Sequence, residues 1–346
     1  MRKTFFRNIA AVILMAVMFN SLPVQISADT EKTSDITDVS ASTIAHRLIL
    51  NGNIGIKFYL NIDEAIAQSS GAYALLSAND RKSAIIPLNE AVTEEISVGG
   101  TAVECYVFEY DVAVTQITAD VTLKLFLSDG SLVYTDTYSV YEYAQKVLDG
   151  TYEDTEKPEE LCELIRSMLN FGGYAQKYFG YNLSSLANTG LYSSSDDPVL
   201  NSDIDFIISD YAFSMSPQFP EGLVYVSSAL KLDSDTSICF YFRVEEGYDI
   251  SDFKFSCSLT KQTSIEPLYD EALGAYRVTV GGIAAPDLAD TYTLQIKASP
   301  TNGYITYIPL HYTELVLRKS SNAALCHTVK ALYFYYEASN NYFNGN

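Results

Sequence analysis

Hydrophobic and polar residues alternate with a period of two in the middle of each half of the chain. Val121, Leu123 and Leu125 are separated by polar positions, as are Tyr292, Leu294 and Ile296, the pattern of a strand with one face buried. The stretch from Leu48 to Leu60 reads as a strand, a short polar turn at Asn51-Gly52-Asn53 and a second strand, because Asn and Gly tolerate the angles of a hairpin turn. Short runs of this kind, with turn signals at Gly99-Gly100, Asp129-Gly130 and Gly281-Gly282, fill residues 43–138 and 222–308. They predict antiparallel sandwiches rather than strand–helix–strand units.

After each strand-rich stretch the period changes to that of a helix. Leu161, Leu164, Ile165, Met168, Leu169, Gly172, Ala175 and Phe179 form one apolar stripe. Pro158 suits a first turn, and Glu156, Glu159 and Glu160 suit the positive end of the helix dipole. A shorter helix is expected before each long one, at about 139–148 and 309–318. Gly172-Gly173 in mid-helix costs about 1 kcal/mol per glycine, so another element is expected to pack closely there. The matching place in the second half carries Tyr336-Glu337.

That match is one of several. Leu48–Leu60 aligns with Leu230–Phe242 at a shift of 182, and Ile117–Leu125 with Leu288–Ile296 at 171. Val147-Leu148 corresponds to Val316-Leu317. Leu161-Cys162, Met168 and Tyr178-Phe179 recur at Leu325-Cys326, Leu332 and Tyr342-Phe343 at 164. A falling shift with a constant order of elements is what shortened loops produce in a duplicated unit. The expected fold class is therefore α+β: two tandem antiparallel β-sandwich units, each followed by a C-terminal helix pair. Their bounds are 43–183 and 222–346. A linker at 184–221 joins them, with one helical turn near Asp203 to Ala212.

Tyr138-Ser-Val-Tyr-Glu-Tyr-Ala144, Met168-Leu-Asn-Phe-Gly-Gly-Tyr-Ala-Gln-Lys-Tyr-Phe-Gly180 and Lys330-Ala-Leu-Tyr-Phe-Tyr335 resemble a recurrent, functionally uncharacterised module of secreted and surface proteins from Gram-positive anaerobes. The resemblance covers roughly residues 43–346. It implies export and a non-catalytic role, and it carries no site residues.

The N-terminus points the same way. Arg2, Lys3 and Arg7 precede the apolar run Ile9–Phe19, and Ile26-Ser27-Ala28 has the small residues of a cleavage site. Residues 1–28 are expected to be a signal peptide cut after Ala28, and 29–42 a lead-in linker. The run is too short to span a membrane, and no later run approaches the roughly 20 residues required. Loss of three cations takes the formal charge from -21 to -24, which disfavours nucleic acid, so that no nucleic-acid partner is expected, and favours solubility. The expected localisation is secreted, extracellular or cell-surface associated.

The residues do not assemble a recognisable catalytic or metal motif. The three histidines, His46, His311 and His327, are scattered, and no HExxH is present. Cys326-His327 pairs a thiol with an imidazole, but adjacent helical residues point about 100° apart, and Cys162 holds the equivalent position without a histidine. No GxSxG or GxxxxGK[ST] occurs. Ser228-x-x-Lys231 and Ser258-x-x-Lys261 lie in strand-like runs, where the lysine cannot sit beside the serine. Asp196, Asp197, Asp203, Asp205, Asp233 and Asp235 lack the glycine-spaced loop of a calcium site. The five cysteines make no disulfide framework, although Cys239 and Cys257 lie on neighbouring strand-like runs. No catalytic residue, metal or cofactor is expected.

The 27 tyrosines are the richest binding candidate. Tyr333, Phe334, Tyr335 and Tyr336 run consecutively and cover most of a helix circumference. Tyr333, Tyr335 and Tyr336 are accordingly the candidate binding residues, read either as a recognition surface or as a helix wedged between its own sandwich and its neighbour. The function expected is a secreted or surface-associated non-catalytic module for binding, adhesion or display, with an extracellular protein or glycan as partner. Two readings compete with it: a secreted glycoside hydrolase using Asp/Glu pairs, and a carbohydrate-binding protein using tyrosine platforms.

Overall fold

The computed structural model describes residues 40–50, 53–78, 83–98, 100–151, 158–204, 212–232, 235–260 and 262–345. The expected signal peptide, the lead-in as far as residue 39 and Asp205 lie outside these. So do two residues of each predicted hairpin turn, 51–52 and 233–234.

The first half opens with β1 (Ala41–Ile49) and β2 (Gly55–Ile62), then α1 (Glu64–Ala67), β3 (Tyr73–Ala78), β4 (Ala84–Pro87), β5 (Val92–Val98), β6 (Thr101–Asp111), β7 (Val121–Phe126) and β8 (Leu132–Tyr138). Two antiparallel sheets result, β1-β2-β6-β5 and β4-β3-β7-β8. Ile56, Phe58 and Leu60 of β2 alternate inward and face Ala74 and Leu76 of β3 and Val121, Leu123 and Leu125 of β7, all fully buried in one core. Burying a side chain of this size stabilises by about 1.5–3 kcal/mol, so the alternation fixes both the faces and the register. Two helices follow, α2 (Val140–Leu148), capped by Ser139, and α3 (Pro158–Phe179).

The second half contains α4 (Pro198–Asn201), β9 (Phe213–Met215), β10 (Leu223–Lys231), β11 (Ser237–Val244), β12 (Lys254–Cys257), β13 (Gln262–Ile265), β14 (Leu268–Asp270), β15 (Ala275–Val280), β16 (Tyr292–Lys297) and β17 (Gly303–Tyr307), closed by α5 (Leu310–Lys319) and α6 (Ala323–Asn344). Its sheets run β10-β11-β15-β14 and β13-β12-β16-β17-β9. The molecule is thus mostly antiparallel sheet, in four sheets among the described residues, with helices at the C-terminal side of each half.

Local details recur between the halves. β1 pairs with β2 with a register irregularity between Thr43 and Ala45, and β10 pairs with β11 with one between Tyr225 and Ser227. The Val112 amide donates to the Ile54 carbonyl at 2.7 Å, and the Ile283 amide to that of Thr236 at 3.2 Å. Tyr141 N–H reaches Ile117 O at 3.0 Å, as Leu310 N–H reaches Leu288 O at 3.1 Å.

Three boundaries differ from the sequence expectation. β1 begins at Ala41, inside the stretch read as lead-in. β9 lies within the stretch read as linker, where three residues are too few to show alternation. The short helix there is Pro198–Asn201 rather than Asp203–Ala212; residues 203–204 are not helical, and 205–211 lie outside the described residues. Asp197 caps α4 by accepting from Val199 N–H at 3.0 Å, and Pro198 opens it.

The expected close contact at the double glycine is present. A Cβ on Gly172 would meet Ile117 Cδ1 at 2.8 Å and Val114 O at 3.2 Å, and one on Gly173 would overlap the Asn188 side chain. The chain after α3 therefore folds back along it instead of spanning freely. Gln176, fully buried, accepts from Ala187 N–H at 2.8 Å and donates to Ser185 O at 3.1 Å. Asp197 is buried and accepts from Asn170 Nδ2 at 3.0 Å and from the Tyr174 hydroxyl at 2.6 Å. Burial and that bond push the Tyr174 phenol well above its ordinary value.

Candidate functional site

The three tyrosines singled out from the sequence do not share one surface. Tyr335 is 3% exposed and lies between the halves, its ring 6.0 Å from that of Phe171 on α3. Burial pushes its phenol up. Tyr333 and Tyr336 are half-buried with rings 6.0 Å apart. The Tyr333 hydroxyl donates to Glu337 at 2.9 Å, and burial followed by that bond raises the phenol to about 12. The helix is wedged: Tyr335 turns inward, leaving two partly accessible rings beside one carboxylate.

α3 packs against α6, and where they meet the two halves form a small cleft. Its walls include Asn53, Ile54, Val112, Val114 and Phe171 from the first half and Asp235, Thr236, Ile283, Ala285 and Tyr335 from the second. The space open to the centres of water-sized spheres is about 30 Å³, room for roughly two waters and far below the few hundred Å³ of a ligand pocket. Among the described residues, Asp235 is the one carboxylate on its walls. That carboxylate is engaged, accepting from Lys231 Nζ at 3.1 Å and from Ser237 Oγ at 2.5 Å. Asn53 Nδ2 donates to Asp111 at 3.0 Å, while Asn53 Oδ1 is buried without a protein partner. A water in the cleft fits that oxygen.

The histidines are structural in their surroundings. His46 on β1 donates from Nε2 to Asp136 Oδ2, 2.8 Å away on β8, stacks on Tyr138 at 3.9 Å and meets Phe58 edge-on. Thr43 also binds Asp136, and its N–H reaches the Tyr134 hydroxyl at 3.0 Å. Both His46 and Thr43 converge on the carboxylate, so neither hydroxyl nor imidazole is set up to activate the other, as a nucleophile–base pair requires. The group bridges the outer edges of two facing sheets. In the second half the same seam holds β9, with Phe213 stacked on Tyr225 at 5.3 Å. His311 lies 3.4 Å from Glu314, and His327 meets Tyr174 edge-on at 5.6 Å.

The remaining sequence candidates stay apart. Cys326 Sγ faces the carbonyls of Val316 and Ser320, and Cys162 Sγ faces that of Val147, each at the joint between the two helices of its half. All five cysteines are free thiols. Cys239 points to the outer side of its sheet, beside Thr279, whereas Cys257 points into the core, which explains why neighbouring runs did not pair them. Ser228 bonds to Tyr225 and Lys231 to Asp235, so that S-x-x-K pattern is not a unit. Among the described residues no three His, Cys, Asp or Glu side chains gather as a metal site.

Part of the exposed apolar area lies on outer strands. Val92 and Val98 of the edge strand β5 are 63% and 43% exposed, and Leu268 and Tyr269 of the edge strand β14 are 60% and 58% exposed. No sequence signal separated these from the inward residues, because β14 is only three residues long and β5 buries a single residue, Ile96, so neither shows an alternating pattern.

Among the described residues no helix is long and apolar enough to cross a membrane. No family model matches the chain, and no curated protein matches it. Among solved structures, the full ectodomain (Ig1–Ig3) of mouse nectin-like molecule 4 is similar at 9% identity over 78% of this chain, with a TM-score of 0.17. The chain spans 62% of that ectodomain. At that score the likeness carries no argument about fold or function.

Proposed function

We propose that the chain is an exported, non-catalytic binding or display module made of two tandem sandwich units, 43–183 and 222–346, each ending in a helix pair. The observation that carries this reading is the packed joint between the halves. Where two units of an enzyme would leave a cleft for substrate, the space here takes about two waters and, among the described residues, one engaged carboxylate. Hydrolysis of a glycoside needs two carboxyl groups about 5–10 Å apart around an open site. The tandem reading is supported by strand orders that match apart from the extra edge strand β9, by the matched irregularities in β1 and β10, and by the paired backbone bonds given above.

The surface such a module offers is the pair of edge strands β5 and β14, with their exposed Val92, Val98, Leu268 and Tyr269. Edge strands carry unpaired backbone groups that accept an extended segment. Export rests on the basic, apolar and small-residue regions of residues 1–28. The test is to incubate purified 29–346 with a glycan array, immobilised extracellular proteins and polysaccharide substrates. Retention on an array or protein surface without release of reducing ends is expected. Steady release of reducing sugar overturns the reading.

A further inference from the structure

The residues lining the cleft between the halves are, for the most part, the same positions counted twice. Asn53 and Asp235 correspond at the shift of 182, as do Ile54 and Thr236. Val112 and Ile283, and Val114 and Ala285, correspond at 171; Phe171 and Tyr335 correspond at 164. Each half thus brings the end of its first hairpin, the segment after its third core strand and the middle of its long helix to one place. A surface that meets its own counterpart is an isologous contact, the kind found across a two-fold axis. Phe171 and Tyr335, counterparts of one another, meet ring to ring at 6.0 Å, as a residue and its equivalent do near a two-fold axis.

Resting on the tandem reading above, we propose that this face is a homotypic pairing surface, and that the first unit can pair through it with a second copy of itself. The side chains decide which copies can do so. Two first units place Ile54, Val112, Val114 and Phe171 against their own counterparts, an apolar contact with neutral Asn53 at its rim. Replacing Ala285 by the second Val114 adds methyl groups where about 30 Å³ stands open. Two second units bring two Asp235 carboxylates to opposite walls of one small cleft, and like charges there oppose pairing. The pairing within the chain, one unit of each kind, avoids that repulsion.

The experiment uses the full mature chain with a protease site inserted between Ser202 and Ala212, cut after folding. The sample is diluted, reconcentrated and examined by native mass spectrometry. Expected are pairs of first with second fragment and pairs of first with first, and no pairs of second with second. Asp235→Asn is expected to make second–second pairs appear, and Phe171→Ala to remove first–first pairs before mixed ones. Mixed pairs alone, with first fragments never found together, overturn the proposal while leaving the tandem reading intact. Loss of the far-UV circular dichroism of both fragments on cutting overturns the tandem reading, and the pairing with it.

Discussion

Two glycines and one aspartate hold the chain after α3 in place. At Gly173 the Asn188 side chain occupies the volume a methyl group needs. Asn188 itself donates to Asn170 Oδ1 at 3.0 Å, so it is not free to withdraw. Gly173→Ala gains about 1 kcal/mol of helix propensity but must displace that contact, at a typical cost of 1–3 kcal/mol. A net lowering of the urea midpoint with unchanged slope is expected. Asp197→Ala removes a helix cap and leaves Asn170 and the Tyr174 hydroxyl without their acceptor. The loss expected from urea unfolding is about 3 kcal/mol; a loss under 1 kcal/mol would show that water replaces the carboxylate. Much of this was legible in advance. A double glycine in an otherwise good helix announces a close neighbour, whereas Asp197-Pro198, a cap followed by a proline suited to the first turn, is obscured by the Ser-rich stretch around it.

At the scale of elements, the facing sheets of the first half are tied at one side by Asp136 on β8 with His46 and Thr43 on β1. Burial raises the Asp136 carboxyl, but the bonds from His46 and Thr43 outweigh it and hold the group below its usual 3.8. A depressed folded value means stability that is full above the unfolded value and is lost as pH falls through the folded one. The difference in stability between wild type and Asp136→Asn, measured by urea unfolding from pH 6 downward, should hold steady to about pH 4 and shrink below it. A difference that does not change with pH would contradict this. Strands with strict alternation, β7 and β16, were readable because one face is wholly buried. β9 was not, since its place depends on a distant edge, that of β17, and not on its own pattern. The aromatic run of α6 could be seen to need a neighbour on more than one side. Which tyrosine turned inward depended on α3, whose approach no local signal records.

For the whole molecule, the α3–α6 contact makes the halves one body. Phe171→Ala together with Tyr335→Ala removes the stacked pair at its centre, where aromatic truncations cost about 3–5 kcal/mol each. Calorimetry of the wild type should show one transition, and the double variant two, because the core is continuous through both halves and each half retains its own pair of sheets once its centre is truncated. One unchanged transition in the variant would mean the halves are coupled elsewhere. The similar order of strands in the two halves was visible in the sequence because the segments that align are core strands and helices. The joint was not, because its residues are scattered among a turn, a loop and a helix in each half.

The central claim is that one unit occurs twice and that the joint between copies is packed rather than open to substrate. A crystal structure of residues 29–346 tests this most directly. The account predicts that 41–179 superposes on 223–344 strand for strand, with the irregularities at Thr43/Ala45 and Tyr225/Ser227 coincident and the cleft filled by side chains and about two waters. Halves that do not superpose, or an open pocket with two carboxyl groups facing each other across it, would contradict it.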